Sequence, residues 1–253
     1  MEHENQPLPE TEKPVQSSLV ERLTNVIVSP GDAFAELRGV PVNPVNWAIP
    51  LVLSILAGIV FTVTIFSQGN VLERMQQDQA TQLEKQVEQG KMSEQQAENA
   101  RKAMEQFMNP KLMMAAGSAA TIFFTPVAWV LMAFVFHWVV RIGSQSHIPF
   151  TKCFEVIGLA SVVSVLGVAV NLLLVIITGN MNMTLSLALA VQDFDPTNST
   201  HALASIVDLT QIWWVAVMAV AWSRLTNHPV ATCGAWLFGI YVVLRVSMVL
   251  LFV

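Results

Sequence analysis

Charge is what this chain has least of. Of its 253 residues 12% are charged and 53% are hydrophobic, whereas an ordinary soluble domain carries about 25% charge. A water-soluble fold cannot hide that much apolar surface. The net charge is −5 and no basic run is present, which leaves neither a nucleic-acid footprint nor a polybasic lipid patch. Cysteine is limited to Cys153 and Cys233. Without CxxC spacing or a nearby histidine pair they support neither a zinc site nor a thioredoxin-like motif, and no structural disulfide is expected. The N-terminal stretch MEHENQPLPETEKPVQSS lacks the apolar core of a signal peptide. Residues 1–17 are too polar to offset their ordering entropy and are expected to be disordered. HExxH, GxSxG, Walker A, GxGxxG and EF-hand patterns are missing, so no standard catalytic, metal or cofactor signature is present.

What the chain has instead is long apolar runs. A span needs about 20 mainly apolar residues to cross a hydrocarbon core of about 30 Å. Five segments qualify: Trp47 to Phe66, the stretch between Lys111 and Arg141 with Pro126 inside it, Val156 to Thr178, His201 to Trp222, and Pro229 to Val253. Backbone groups in lipid must bond internally, and runs this long are twice a barrel strand, so the spans are helices. The fold class is an all-α polytopic membrane bundle. Met183 to Val191 is apolar but too short to cross; it lies in the interface or packs re-entrantly, and its Leu-Ser-Leu-Ala-Leu alternation does not settle helix against strand.

Lys and Arg near the span ends set the orientation. Arg22, Arg38, Arg141, Lys152 and Arg224 gather on one side, while the loop 179–200 has no basic residue. The N-terminus is therefore expected in the cytoplasm, although the loop 67–111 mixes six basic with seven acidic residues.

Two regions outside the spans carry pattern. In SLVERLTNVIVSPGDAFAELRG, residues Leu19, Val20, Leu23, Val26 and Ile27 form one apolar stripe with Glu21, Arg22 and Asn25 off it. Ser29 is placed to cap a second short helix that begins at Pro30, with Asp32 in its first turn. Residues 70–108 read as a helical hairpin broken at Gly90, with Ser93 and Gln96 as a capping box. Ala97, Ala100, Met104, Phe107 and Met108 share its apolar face. Too few heptads are present for a convincing coiled coil, so the hairpin is expected to pack on itself.

Candidate site residues are few. Asp208 and Arg245 are charged within the fourth and fifth spans, and burying charge in lipid gives them reason to pair. His137 and Arg141 lie four apart at one end of span two and read as a packed histidine and an interfacial anchor. Asn171 is expected to donate a hydrogen bond between helices. Trp213, Trp214 and Trp222 fit packing and interfacial anchoring. The sequon Asn198-Ser199-Thr200 matters only in a eukaryotic lumen.

The stretch VIVSPGDAFAELRGVPVNPVNWAIPLVLSIL resembles the opening of the Yip domain family, membrane proteins named in yeast for interaction with Ypt/Rab GTPases. The matching residues are Ser29, Pro30, Phe34, Trp47 and Pro50. DLTQIWWVAVMAVAWSRLTNHPVATC resembles the family's paired last spans. The resemblance covers roughly residues 20–253 and fits five spans with a cytoplasmic N-terminus, while the missing catalytic signatures set the expectation of no enzymatic activity and no cofactor. The resemblance also implies a role in membrane trafficking or organisation, with membrane proteins or further copies of the chain as partners and small GTPases in eukaryotes. The short N-terminal region and the charged hairpin depart from the eukaryotic pattern and favour a bacterial inner-membrane member. The chain thus divides into a tail, 1–17, and a Yip-like membrane domain, 18–253, with an extramembrane helical hairpin at 67–111. A membrane scaffold or interaction protein is the leading reading. A small-solute transporter or channel component is the runner-up, and an intramembrane enzyme ranks third.

Overall fold

The computed structural model describes residues 17–107, 109–181, 183–191, 194–195 and 198–252. The expected disorder of residues 1–16 and the place of Met108 on the hairpin lie outside them. Two short helices, α1 (Leu19–Val28) and α2 (Pro30–Ala35), precede the long α3 (Val45–Phe66). The hairpin is α4 (Gly69–Glu88) and α5 (Glu94–Phe107), followed by α6 (Pro110–Ser144) and α7 (Phe150–Thr178). After a 3-10 turn at Leu187–Ala190 come α8 (Ser199–Ile206), α9 (Leu209–Thr226) and α10 (Val230–Phe252). No β-strand occurs among the described residues, and the fold is a helical membrane bundle.

Four helices, α3, α6, α7 and α10, are long and apolar enough to cross a membrane. The fourth expected span differs. Its helix does not begin at His201: the chain breaks at Val207 and Asp208, and α9 starts afresh at Leu209. Gln211, Arg224 and three tryptophans lower the apolarity of α9, yet its 18 residues reach about 27 Å, close to the hydrocarbon thickness. It packs between α7 and α10 and buries Val215, Val217, Met218, Ala219, Ala221 and Trp222. In contrast, α10 buries little beyond Cys233. At the centre α7 touches α1, α3, α6 and α9. It begins at Phe150 instead of Val156, which draws Lys152 and Glu155 into the helix.

Close helix contacts rest on glycine. Between α3 and α6 the arrangement is reciprocal. Thr62 and Thr121 each donate their hydroxyl to the carbonyl four residues back, Gly58 and Gly117, at 2.9 Å. Their methyls then point across to the other helix's glycine, where a Cβ would lie 2.6–2.7 Å away. Small residues of this kind let backbones approach in a membrane, where no hydrophobic drive between helices exists.

Chain direction alternates along the bundle, so its two ends have different contents. One end gathers α1, α2 and the α9–α10 turn, where Arg38 donates to Asn227. The other gathers the hairpin and the segment after α7, joined by Arg74 Nη1 to the Thr178 carbonyl at 3.3 Å and by Lys85 to Asp195 at 3.1 Å. The hairpin closes as its sequence indicates: Gly90 takes φ +67°. Ser93 and Gln96 cap reciprocally, Ser93 N–H to Gln96 Oε1 at 2.9 Å and Gln96 N–H to Ser93 Oγ at 3.3 Å.

Candidate functional site

The stripe on α1 is rotated from the one its sequence indicates. Val20 is 74% exposed, whereas Arg22, expected on the polar side, is buried beside Val26. The reason is a polar receptor beneath it. Arg22 Nη1 donates to Asn46 Oδ1 at 3.3 Å, and Arg22 Nε donates to Ser17 Oγ at 3.1 Å and faces Glu36 at 3.7 Å. Asn46, at the start of α3, passes the contact on: its Nδ2 donates to Glu155 Oε1 at 2.6 Å. The Asn43 N–H donates to the same oxygen at 3.1 Å, and Lys152 Nζ donates to Glu155 Oε2 at 2.6 Å.

Arg22, Asn46, Lys152 and Glu155 are all buried. They form one net that ties α1 to α3 and α7. Two cations face Glu155 inside and Glu36 at the rim, and both Glu155 oxygens are engaged, which fits a fastener better than a reactive carboxylate. Aromatic packing surrounds it. Trp47 meets Phe154 edge-on at 5.1 Å, and Trp129 meets Phe154 at 6.0 Å. Above the net, α3 and α7 touch at Gly158, where a Cβ would lie 2.5 Å from Trp47 Cα and 2.7 Å from the Asn46 carbonyl oxygen.

Of Ser29, Pro30, Phe34, Trp47 and Pro50, Trp47 adjoins this net, next to Asn46 in α3 and against Gly158. Ser29 and Pro30 form the α1–α2 corner, Phe34 is fully buried, and Pro50 lies buried within α3. Ser29 does not cap α2 through its side chain; its hydroxyl donates to the Asp32 carboxylate. The family model for the Yip1 domain matches residues 24–253. The chain belongs to the Yip1 family. No curated protein and no solved structure matches it.

Elsewhere in the Yip1 domain, Asp208 and Arg245 come to the same corner without meeting as an ion pair. Each serves one side of the break between α8 and α9. Asp208 caps α9, its Oδ1 accepting from the Thr210 N–H at 2.9 Å, the Thr210 hydroxyl at 2.6 Å and the Gln211 N–H at 3.1 Å. On the other side the last carbonyls of α8 accept from α10: Ile206 from the Tyr241 hydroxyl at 2.6 Å, Ser205 from Arg245 Nη2 at 3.5 Å. The apolar 183–191 segment completes the break through an isolated antiparallel bridge, with Leu187 N–H to Val207 O at 3.2 Å and Leu209 N–H to Leu185 O at 2.9 Å. Irregular backbone at membrane depth is tolerated only when satisfied in this way.

Other sequence candidates are structural. Asn171 accepts through Oδ1 from the Leu185 N–H at 3.3 Å, where an interhelical donor was expected. His137 Nδ1 lies 2.8 Å from the Ile148 carbonyl, and Arg141 stacks over Trp138 at 5.8 Å, so the two do not form a shared site. Both cysteines are free and buried. Among the described residues no group of three His, Cys, Asp or Glu could hold a metal. Sequence reasoning missed Asn46 and Glu155, although Lys152 and Glu155 stand three apart at the mouth of an apolar run.

Proposed function

We propose that this Yip-family membrane protein is a non-enzymatic scaffold or interaction protein that displays α1 and α2 on the cytoplasmic face of a bacterial inner membrane. Its role is then in membrane organisation or trafficking. One observation carries the reading: the Arg22–Asn46–Glu155–Lys152 net holds the short helices against the bundle as a fixed platform, while Val20 and Val28 point outward at 74% and 71% exposure. Partners are other membrane proteins or further copies of the chain, with a small GTPase only in a eukaryotic membrane. The cytoplasmic side follows from the absence of Lys and Arg in 179–200. The transport reading has less support, because the helix break lies at the N-terminal end of α9, away from mid-span, and Asp208 and Tyr241 are engaged by the backbone around it.

Photo-crosslinking from Val20 and Val28 in native membranes should yield discrete protein adducts that are lost in Arg22→Ala. Lipid adducts alone, combined with solute uptake by the purified protein in proteoliposomes, would overturn the reading. Cysteine placed at Asn198 should react with an impermeant reagent from outside, and cysteine placed at the exposed His147, in the α6–α7 loop, only after permeabilisation; the opposite pattern reverses the orientation.

A further inference from the structure

A groove of about 260 Å³ runs between α6, α9 and α10. Its wall is apolar, formed by Leu131, Val135, Trp214, Met218, Leu237 and, at one end, Tyr241. Beside Tyr241 stands Arg245, which interacts with it. Arg245 has no carboxylate within 4.0 Å among the described residues. Its bond to the Ser205 carbonyl is long at 3.5 Å, and its Nε is buried without a partner. The nearby Asp208 is spent on the N-terminus of α9. A guanidinium in a span has a physical need for an anion, and among the described residues none stands within 4.0 Å of this one.

We propose that the groove holds an acyl chain of one phospholipid whose phosphate sits on Arg245. The geometry has the right direction. From Arg245, near the hairpin end of α10, the groove descends to Leu237, about 12 Å at 1.5 Å per residue, toward the middle of the bundle. A lipid anchored at that surface sends its tail the same way. The wall below the guanidinium is almost wholly apolar, which suits an acyl chain. The guanidinium fork matches phosphate oxygens, and the aliphatic stem of arginine lets it reach the headgroup level.

The full chain, delipidated in detergent, is titrated with phosphatidylglycerol, with diacylglycerol of the same chains, and with glycerol phosphate, and thermal stability is read. Phosphatidylglycerol alone should raise Tm. Arg245→Gln should weaken its apparent affinity about tenfold, and Arg245→Lys should keep part of it. Leu237→Trp, which fills the groove and leaves the arginine intact, should abolish the shift, which keeps the test decisive if Arg245→Gln fails to fold. Equal stabilisation by diacylglycerol or by glycerol phosphate overturns the proposal, as does an unchanged response in Leu237→Trp or a lipid-independent dimer that closes the groove.

Discussion

Where α1 and α2 dock, Arg22, Asn46, Glu155 and Lys152 form one net at 1–7% exposure. At the hairpin end, Lys85 pairs with Asp195 at 3.1 Å and Arg101 with Glu84 at 3.4 Å, but these side chains are 36–67% exposed. The residue types are the same and the consequences are not. Water screens the hairpin pairs, which hold two long side chains for little return. Inside the bundle, removing one partner strands another charge without solvent. The first end therefore holds these four side chains in one buried arrangement. The second is a polar hairpin whose outer half closes around Leu83, Ala97 and Met104, while the start of α4 packs Val71 and Met75 against Ile65 and Val175 of the spans.

Substitutions can break or sharpen that contrast. Glu155→Leu removes the acceptor shared by Asn43, Asn46 and Lys152 and should cost about 3–5 kcal/mol, read as loss of thermal stability in nanodiscs. A loss under about 1 kcal/mol would place the net in the same class as a surface pair. Gly158→Ala forces a methyl against Trp47 and Asn46 and should cost about 1–3 kcal/mol, measured by the same melt; a neutral result would mean that α3 and α7 separate readily. Asp208→Ala should cost about 1 kcal/mol through its cap. Combined with Arg245→Gln, the double variant should lose less than the sum, because once either side of the break frays the other residue's partner is already lost. Strict additivity would show that the two act independently. Lys85→Ala should change stability by less than about 1 kcal/mol; a larger loss would mean that the hairpin is integral to the bundle.

The apolar runs made the helical membrane bundle legible, and Gly90 with Ser93 and Gln96 made the hairpin so. Both signals are local: run length decides a span, and a positive φ or a cap decides a turn. The net was not legible because its register depends on a receptor from distant segments. Helical period alone placed Val20 on the stripe and Arg22 off it, yet Asn46 and Glu155 supply enough polar contact to reverse them. The break at Val207 was hidden for a similar reason. Residues 201–222 read as one apolar run, and only the donors from α10 and the 185–187 bridge make an interruption stable. Motif resemblance captured the family from Ser29, Pro30, Phe34, Trp47 and Pro50, but none of these residues is a member of the net.

Hydrogen exchange over residues 19–35, in the wild type and in Arg22→Met within nanodiscs, tests the platform most directly. Protection of α1 and α2 in the wild type should approach that of the start of α7, and the variant should lose it there while α9 stays protected. Rapid exchange of residues 19–35 in the wild type, or unchanged protection in the variant, would contradict the claim that the buried net holds these helices on the bundle.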